Sequence, residues 1–223
     1  MPARDTTDQA PRILSLWQGS WIAALAVGVV VWGLIVWSVI FHRRKRDATG
    51  LPPQTRYNLP IEVLYTVVPF IMIAVFFYFT ARDEDVIMRT SANPDHNITV
   101  TGVQWSWQFT YESDGGATVT GTPGKPPTLV LPEGESVQFE LVSDDVIHSF
   151  WVPAFLFKMD VIPGQNNVFE ITPTKQGTFK GKCAELCGQD HARMLFNVEV
   201  VSPAEFDAEV ADLAARNESG SAQ

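Results

Sequence analysis

The apolar positions follow two different patterns in two parts of the chain. From Ile13 to Phe41 there are 29 residues without a charge, and from Val63 to Ala81 there are 19 more. A helix needs roughly 20 mostly apolar residues to cross the hydrocarbon core of a bilayer. Each run therefore predicts a membrane span, over about 17–41 and 61–81, joined by a connector over 42–60 and preceded by a short segment, 1–16. After a polar linker over 82–96 the pattern changes to alternation. The stretch "VQWSWQFTY" sets Val103, Trp105, Trp107, Phe109 and Tyr111 on one face and Gln104, Ser106, Gln108 and Thr110 on the other. "SVQFELV" does the same through Val137, Phe139 and Leu141. Further strands are expected at 97–101, 128–131, 167–172, 177–182 and 194–201, divided by the turn clusters "SDGG", "LPEGE" and "VIPGQNN". This spacing over 97–202 predicts an all-β sandwich or barrel. In "SPAEF", Ser202 as N-cap, Pro203 at the first helical position and Glu205 three residues after the cap predict a helix to about Asn217 within the segment 203–223, with "ESGSAQ" fraying.

Charge orients the hairpin. The connector carries "HRRKR" at 42–46 and Arg56, whereas the outer flanks hold only Arg4 and Arg12 on one side and Arg82 and Arg89 on the other. The positive-inside bias then puts the connector in the cytoplasm and both termini outside. Trp17, Trp21 and Trp37 suit the two interfaces, although Trp32 lies within the run. A signal peptide is the competing reading of the first run, but its apolar stretch is too long and a basic block follows it as a stop-transfer pattern does. Residues 82–223 hold 9 Lys/Arg against 21 Asp/Glu, a net of −12, while residues 1–81 have a net of +3. An acidic outer domain argues against nucleic acid and suits a basic protein partner. There is no internal repeat, P-loop or dinucleotide fingerprint.

The chemistry gathers in "CAELCGQDHARM", which holds both cysteines of the chain. Cys183, Cys187, His191 and Met194 offer two thiolates, an imidazole and a thioether, a set that favours copper over magnesium, calcium or manganese. Three other readings stand beside it: a Cys183–Cys187 disulfide, a structural zinc site lacking a fourth ligand, and Met194 as the first core residue of the last strand. A redox CxxC pair is excluded by the spacing. Upstream, "SDDVIHSFWVP" places His148 after a turn and before an aromatic strand. Loops cluster at the ends of a sandwich, so His148 can join the later loop.

With "QWSW", "DDVIHSFWVP", "KMDVIPGQNN" and "CAELCGQDHARM" following a two-helix hairpin in this order, the chain resembles subunit II of the haem-copper cytochrome c oxidases over nearly its whole length. The resemblance implies a cupredoxin-like Greek-key sandwich holding a binuclear copper A centre. Cys183 and Cys187 would bridge both coppers, His148 and Met194 would complete one, and His191 and the backbone carbonyl of Glu185 the other. It also implies a magnesium or manganese ion on the Glu185 side chain at the contact with subunit I. Trp105 matches the residue through which electrons enter, although alternation alone reads it as core. Glu62 matches a glutamate at the mouth of a proton path, although a carboxylate in a first helical turn also complements the dipole. Asp144, Asp145 and Asp160 are candidates for docking or interface hydrogen bonds, and His42 and His96 read as surface residues.

The implied function is that of the oxidase subunit that takes electrons from a c-type cytochrome, or from the cytochrome domain of a bc complex, and passes them to the haems and copper of subunit I for reduction of oxygen. Subunit III and membrane lipid would be further neighbours, in a bacterial cell membrane. No C-x-x-C-H haem motif is present, so the donor haem is expected on another chain. A quinol-oxidase subunit is excluded because the copper ligands are present, and a nitrous oxide reductase because it would not combine them with this hairpin. The alternative from another class is a membrane-anchored outer binding domain with a Cys183–Cys187 disulfide and no metal.

Overall fold

In the computed structural model, residues 6–44, 47, 49–51 and 54–221 are described; Arg4, part of the basic block (Lys45 and Arg46) and the last two residues of the expected frayed tail lie outside them. The chain divides into two compact units, residues 15–85 and residues 86–223 together with the N-terminal residues up to Leu14. The first contains most of α1 (Ala10–Phe41) and α2 (Leu59–Ile87), both long and apolar enough to cross a membrane. Both helices outrun the apolar stretches that predict them. Hydropathy marks where lipid would be, whereas caps and polar turns mark where a helix ends. At the start of α1 the Thr7 hydroxyl accepts the Ala10 N–H at 3.2 Å, and Pro11 fills a first-turn position that needs no donor. At its far end α2 continues through the charged residues Arg82 to Asp85 and ends at Ile87, so the first six residues of the expected linker are helical.

The second unit carries ten strands: β1 (His96–Val103), β2 (Ser106–Tyr111), β3 (Ala117–Thr120), β4 (Thr128–Pro132), β5 (Val137–Ser143), β6 (His148–Val152), β7 (Phe157–Val161), β8 (Asn167–Ile171), β9 (Gly177–Cys183) and β10 (Leu195–Val201). They form two five-stranded sheets, ordered β3-β2-β1-β5-β8 and β4-β10-β9-β6-β7. Most neighbours are antiparallel, but β1 runs parallel to β5 and β4 parallel to β10. The inner faces meet in an aromatic core: Phe150 stacks on Phe196 at 4.8 Å, Phe139 on Phe169 at 4.8 Å, and Trp107 packs edge-on against both Phe150 and Phe196. The expected fold, an apolar helix pair followed by a β-sandwich and a C-terminal helix, is what the structure has.

Two expectations, one from alternation and one for a histidine, differ from the structure. "VQWSWQFTY" is not one strand: Val103 pairs with Ser106, so Gln104 and Trp105 form a two-residue hairpin turn. Period-two alternation runs through so short a turn without a break, and no Gly, Pro or Asn flags it. Trp107, Phe109 and Tyr111 are buried as expected, but Trp105 leaves the strand and is only half-buried. His96 is not a surface residue. Its Nε2 lies 2.8 Å from Glu135 Oε2 and its ring packs edge-on against Phe206. That phenylalanine belongs to α3 (Pro203–Ser221), which starts at the expected capping box, with the Ser202 hydroxyl donating to Glu205 Oε2 at 2.7 Å. It runs four residues beyond Asn217, whose side-chain amide donates to the Thr118 carbonyl at 2.8 Å and ties the last turns to β3.

Candidate metal centre

Strand pairing assembles the site before any metal is considered. β6 lies against β9 with Phe150 opposite Cys183, so the start of β6 at His148 stands beside the end of β9. The chain then leaves the sheet at Cys183 and returns at Leu195, opposite Lys182. The Cys183 N–H donates to the Met194 carbonyl at 3.0 Å, which closes the base of this eleven-residue excursion. Inside it, one 3-10 turn over His191–Arg193 presents His191. Space for His148 comes from Gly102 on β1, where a Cβ would stand 3.1 Å from the imidazole.

The donor atoms converge. Cys183 Sγ lies 3.8 Å from Cys187 Sγ, 4.0 Å from His148 Nδ1 and 3.2 Å from the Glu185 carbonyl oxygen. Cys187 Sγ lies 3.7 Å from both His191 Nδ1 and Met194 Sδ. The ligand atoms of His148, Cys183 and Cys187 all fall within 4.8 Å of one another, and all three residues are buried. A disulfide would need the sulfurs at about 2.05 Å; both cysteines are free, and the disulfide reading is not favoured. Met194 is fully buried and turns its sulfur toward Cys187, so it serves the core and the site together. The Glu185 carbonyl faces the thiol while its side chain is exposed, with Oε1 accepting the Leu186 N–H.

Electrostatics of the metal-free cluster divide the two thiols. Burial alone would push Cys183 up, but hydrogen bonding to His148, then to the backbone around Glu185 and Ser149, outweighs it and brings the thiol down to about 6. Burial, then the negative charge on Cys183, push Cys187 up to about 12. Of the two sulfurs, Cys183 is therefore the more readily ionised and Cys187 holds its proton more firmly, and a bound cation would favour loss of that proton. Two soft thiolates, two imidazoles, a thioether and a carbonyl at this spacing fit copper.

Around this cluster stand residues of unequal legibility. His148 Nε2 lies 2.8 Å from Asp145 Oδ1, which leaves Nδ1 facing the sulfurs. Among the acids expected in docking, Asp145 is thus drawn into the site, and its carboxyl is held below the ordinary value. Burial opposes that shift; hydrogen bonds from His148, Val146 N–H and Gln104 N–H outweigh it. Trp105 reaches the same region, its indole N–H donating to the Cys187 carbonyl at 3.1 Å. Beside it Gln104 Nε2 donates to the same carbonyl at 2.7 Å, a contact for which the sequence offers no signal. Glu62 is not part of this cluster. It lies in the first turn of α2, where Oε1 accepts the Asn58 N–H at 3.0 Å.

Comparison with known proteins agrees with the geometry. Residues 126–201 match the family described as cytochrome c oxidase subunit II, periplasmic domain. The chain is 53% identical to a probable cytochrome c oxidase subunit 2 of Streptomyces coelicolor, over 96% of this chain and 79% of that one. It is 39% identical to cytochrome c oxidase subunit 2 of Mycobacterium tuberculosis, over 91% of this chain and 71% of that one. Among solved structures it resembles the periplasmic domain of subunit II of cytochrome oxidase of Bradyrhizobium japonicum, with 33% identity and a TM-score of 0.53 over 57% of this chain and 99% of that one. A second similar structure is a mixed disulfide between a thioredoxin-like protein and subunit II of cytochrome c oxidase, with 32% identity and a TM-score of 0.51 over 57% of this chain and 98% of that one.

Proposed function

This chain belongs to the cytochrome c oxidase subunit II family, and on that premise we propose that it is the electron-accepting subunit of a membrane-bound terminal oxidase, with copper A held by His148, Cys183, Glu185, Cys187, His191 and Met194. The observation that carries the reading is the convergence of His148, from one loop, on the two thiols, imidazole and thioether of another. When bound, a pair of coppers would let one electron be shared by two metals, so that accepting it would require little rearrangement.

The chain's own residues do the rest. Cys183 and Cys187 present their sulfurs from a loop closed at its base. Asp145 fixes the His148 ring so that Nδ1 faces inward, and fixing of this kind sets the tautomer of a metal-ligating histidine. The buried walls, among them Trp107 and Phe150, exclude water from the sulfurs. Trp105 is half-buried and bonded to the Cys187 carbonyl, a short route from the surface to one of the two cysteines, which supports it as the place where electrons enter from a c-type cytochrome. The acidic charge of residues 82–223 suits a basic donor.

The remaining roles follow the same premise. The electron would pass on to the haems and copper of subunit I, with subunit III beside it. The exposed Glu185 carboxylate is a hard ligand suited to magnesium or manganese at the subunit I contact. Glu62, next to the basic connector, would stand at the cytoplasmic mouth of a proton path. For sidedness, residues 6–9 support an outer N-terminus. Asp8 N–H donates to the Thr172 carbonyl, Thr174 N–H to the Thr6 carbonyl and the Thr6 hydroxyl to the Ala154 carbonyl, so the segment before α1 is stitched into the domain that follows α2. Copper added to the purified full chain in detergent tests the core of this reading. About two coppers per chain and a near-infrared band are expected, and a folded chain that binds none would overturn it.

A further inference from the structure

We propose that Gln104 is a positioning residue that braces the two ligand-bearing loops against each other. Its backbone N–H donates to Asp145 Oδ2 at 2.7 Å, and the other oxygen of that carboxylate holds His148 Nε2 at 2.8 Å. Its side-chain amide donates to the Cys187 carbonyl at 2.7 Å, beside the Trp105 indole at 3.1 Å. One residue of a two-residue turn thus reaches the His148 loop through its backbone and the Cys187 loop through its side chain, across 83 residues of sequence.

The arrangement around that carbonyl is built for two donors. A carbonyl oxygen has two lone pairs, and Gln104 and Trp105 each supply it one N–H. Their approach depends on Gly188, where a Cβ would stand 2.9 Å from Trp105 Nε1 and 3.1 Å from Gln104 Nε2, and where φ is +123°. Any other residue there would push the turn away from the loop and strain its own backbone. The carbonyl belongs to Cys187, so pinning it restricts the backbone from which the Cys187 sulfur projects. Trp105 alone would leave that peptide free to pivot about a single bond; the second donor removes the pivot.

Gln104→Met keeps the length without donors, and Gln104→Glu keeps the shape while losing them at neutral pH. Both are compared with the wild-type full chain in detergent. In the metal-free protein, iodoacetamide should alkylate Cys187 faster relative to Cys183 in both variants, as read by mass spectrometry of the two cysteines. After copper loading, the visible and near-infrared bands should shift and copper should pass to a chelator about ten-fold faster, the scale found when partners of metal ligands are removed. Unchanged alkylation ratios and unchanged copper release would overturn the proposal, as would loss of the far-UV signal, which would make Gln104 a residue of the fold rather than of the site. The spectroscopic arm rests on the copper reading. A wild-type chain that takes up no copper sinks that reading, while the alkylation ratio still decides the brace.

Discussion

In α1 and α2, Ile22, Val29 and Phe77 stand 70–74% exposed, whereas in the β-sandwich Leu131, Phe139 and Phe196 have no exposed surface at all. The same classes of residue serve opposite ends. On the helices, apolar surface is the outside, and what it must satisfy is a length of hydrocarbon. In the sandwich it is the inside, and what it must satisfy is the shape of its neighbours at close-packed density. A helix of this kind should tolerate changes of size but not of charge, and the sandwich the reverse at many positions.

Phe196→Ala is the strongest way to break the comparison. Phe196 stacks on Phe150, meets Trp107 and Phe109 edge-on and fills the space left by Gly181. Its removal should cost about 3–5 kcal/mol, measured by chemical denaturation of the full chain with tryptophan fluorescence. Because Trp107 also donates to the Met194 carbonyl, the loss should reach the metal loop. Phe77→Ala, which removes the same ring from an exposed position of α2, should leave that denaturation curve where it is.

Charge should reverse the ranking. Val29→Arg sets a cation near the middle of the first apolar run and should disfavour insertion by about 2.5–3.5 kcal/mol, read as the inserted fraction in a membrane-integration assay. Thr178→Arg, on the exposed face of β9 opposite Glu199, should change stability by no more than about 0.5 kcal/mol. Equal effects of the two arginines would remove the distinction between the two units.

This difference also explains how much could be read in advance. Runs of uncharged residues announce a hairpin because lipid is a simple solvent, yet α1 and α2 extend beyond those runs because Thr7 and the charged turn at Arg82–Asp85, not hydropathy, set their ends. In the sandwich, alternation located most strands, missed β3 and β7, and read through the turn at Gln104–Trp105. The donor set of the candidate metal site is legible as chemistry in one loop, and His148 as a candidate from its place after a turn. Gln104 and the embedded role of Asp145 were not. Their partners are a backbone carbonyl and an imidazole brought near by folding, and no pattern of side-chain types encodes a carbonyl. The burial of His96 is hidden from the sequence for the same reason, since the ring packed against it is Phe206, on a helix far along the chain.

The smallest effect concerns the polar stitching at the edges of the sandwich. Asp95 Oδ2 accepts both the N–H and the hydroxyl of Ser136, each at 2.8 Å, and Glu205 Oε2 accepts the hydroxyl and N–H of Ser202 at 2.7 and 3.1 Å. The Ser136 backbone bond first, then its hydroxyl, hold the Asp95 carboxyl below its ordinary value; the Ser202 hydroxyl, then its N–H, do so for Glu205. A depressed carboxyl contributes stability that is complete above its unfolded value, near pH 4, and is lost as pH falls through the lower folded value. The sandwich should therefore lose stability from about pH 4 downward through these two groups, whereas relief of repulsion in a domain of net charge −12 acts in the opposite sense. A difference measurement separates the two. Glu205→Gln keeps the size of the side chain and removes its titration, so its unfolding midpoint should be lower than that of the wild type at pH 6 and converge with it in acid. A gap that stays constant with pH would mean that the capping carboxylate contributes shape and not charge.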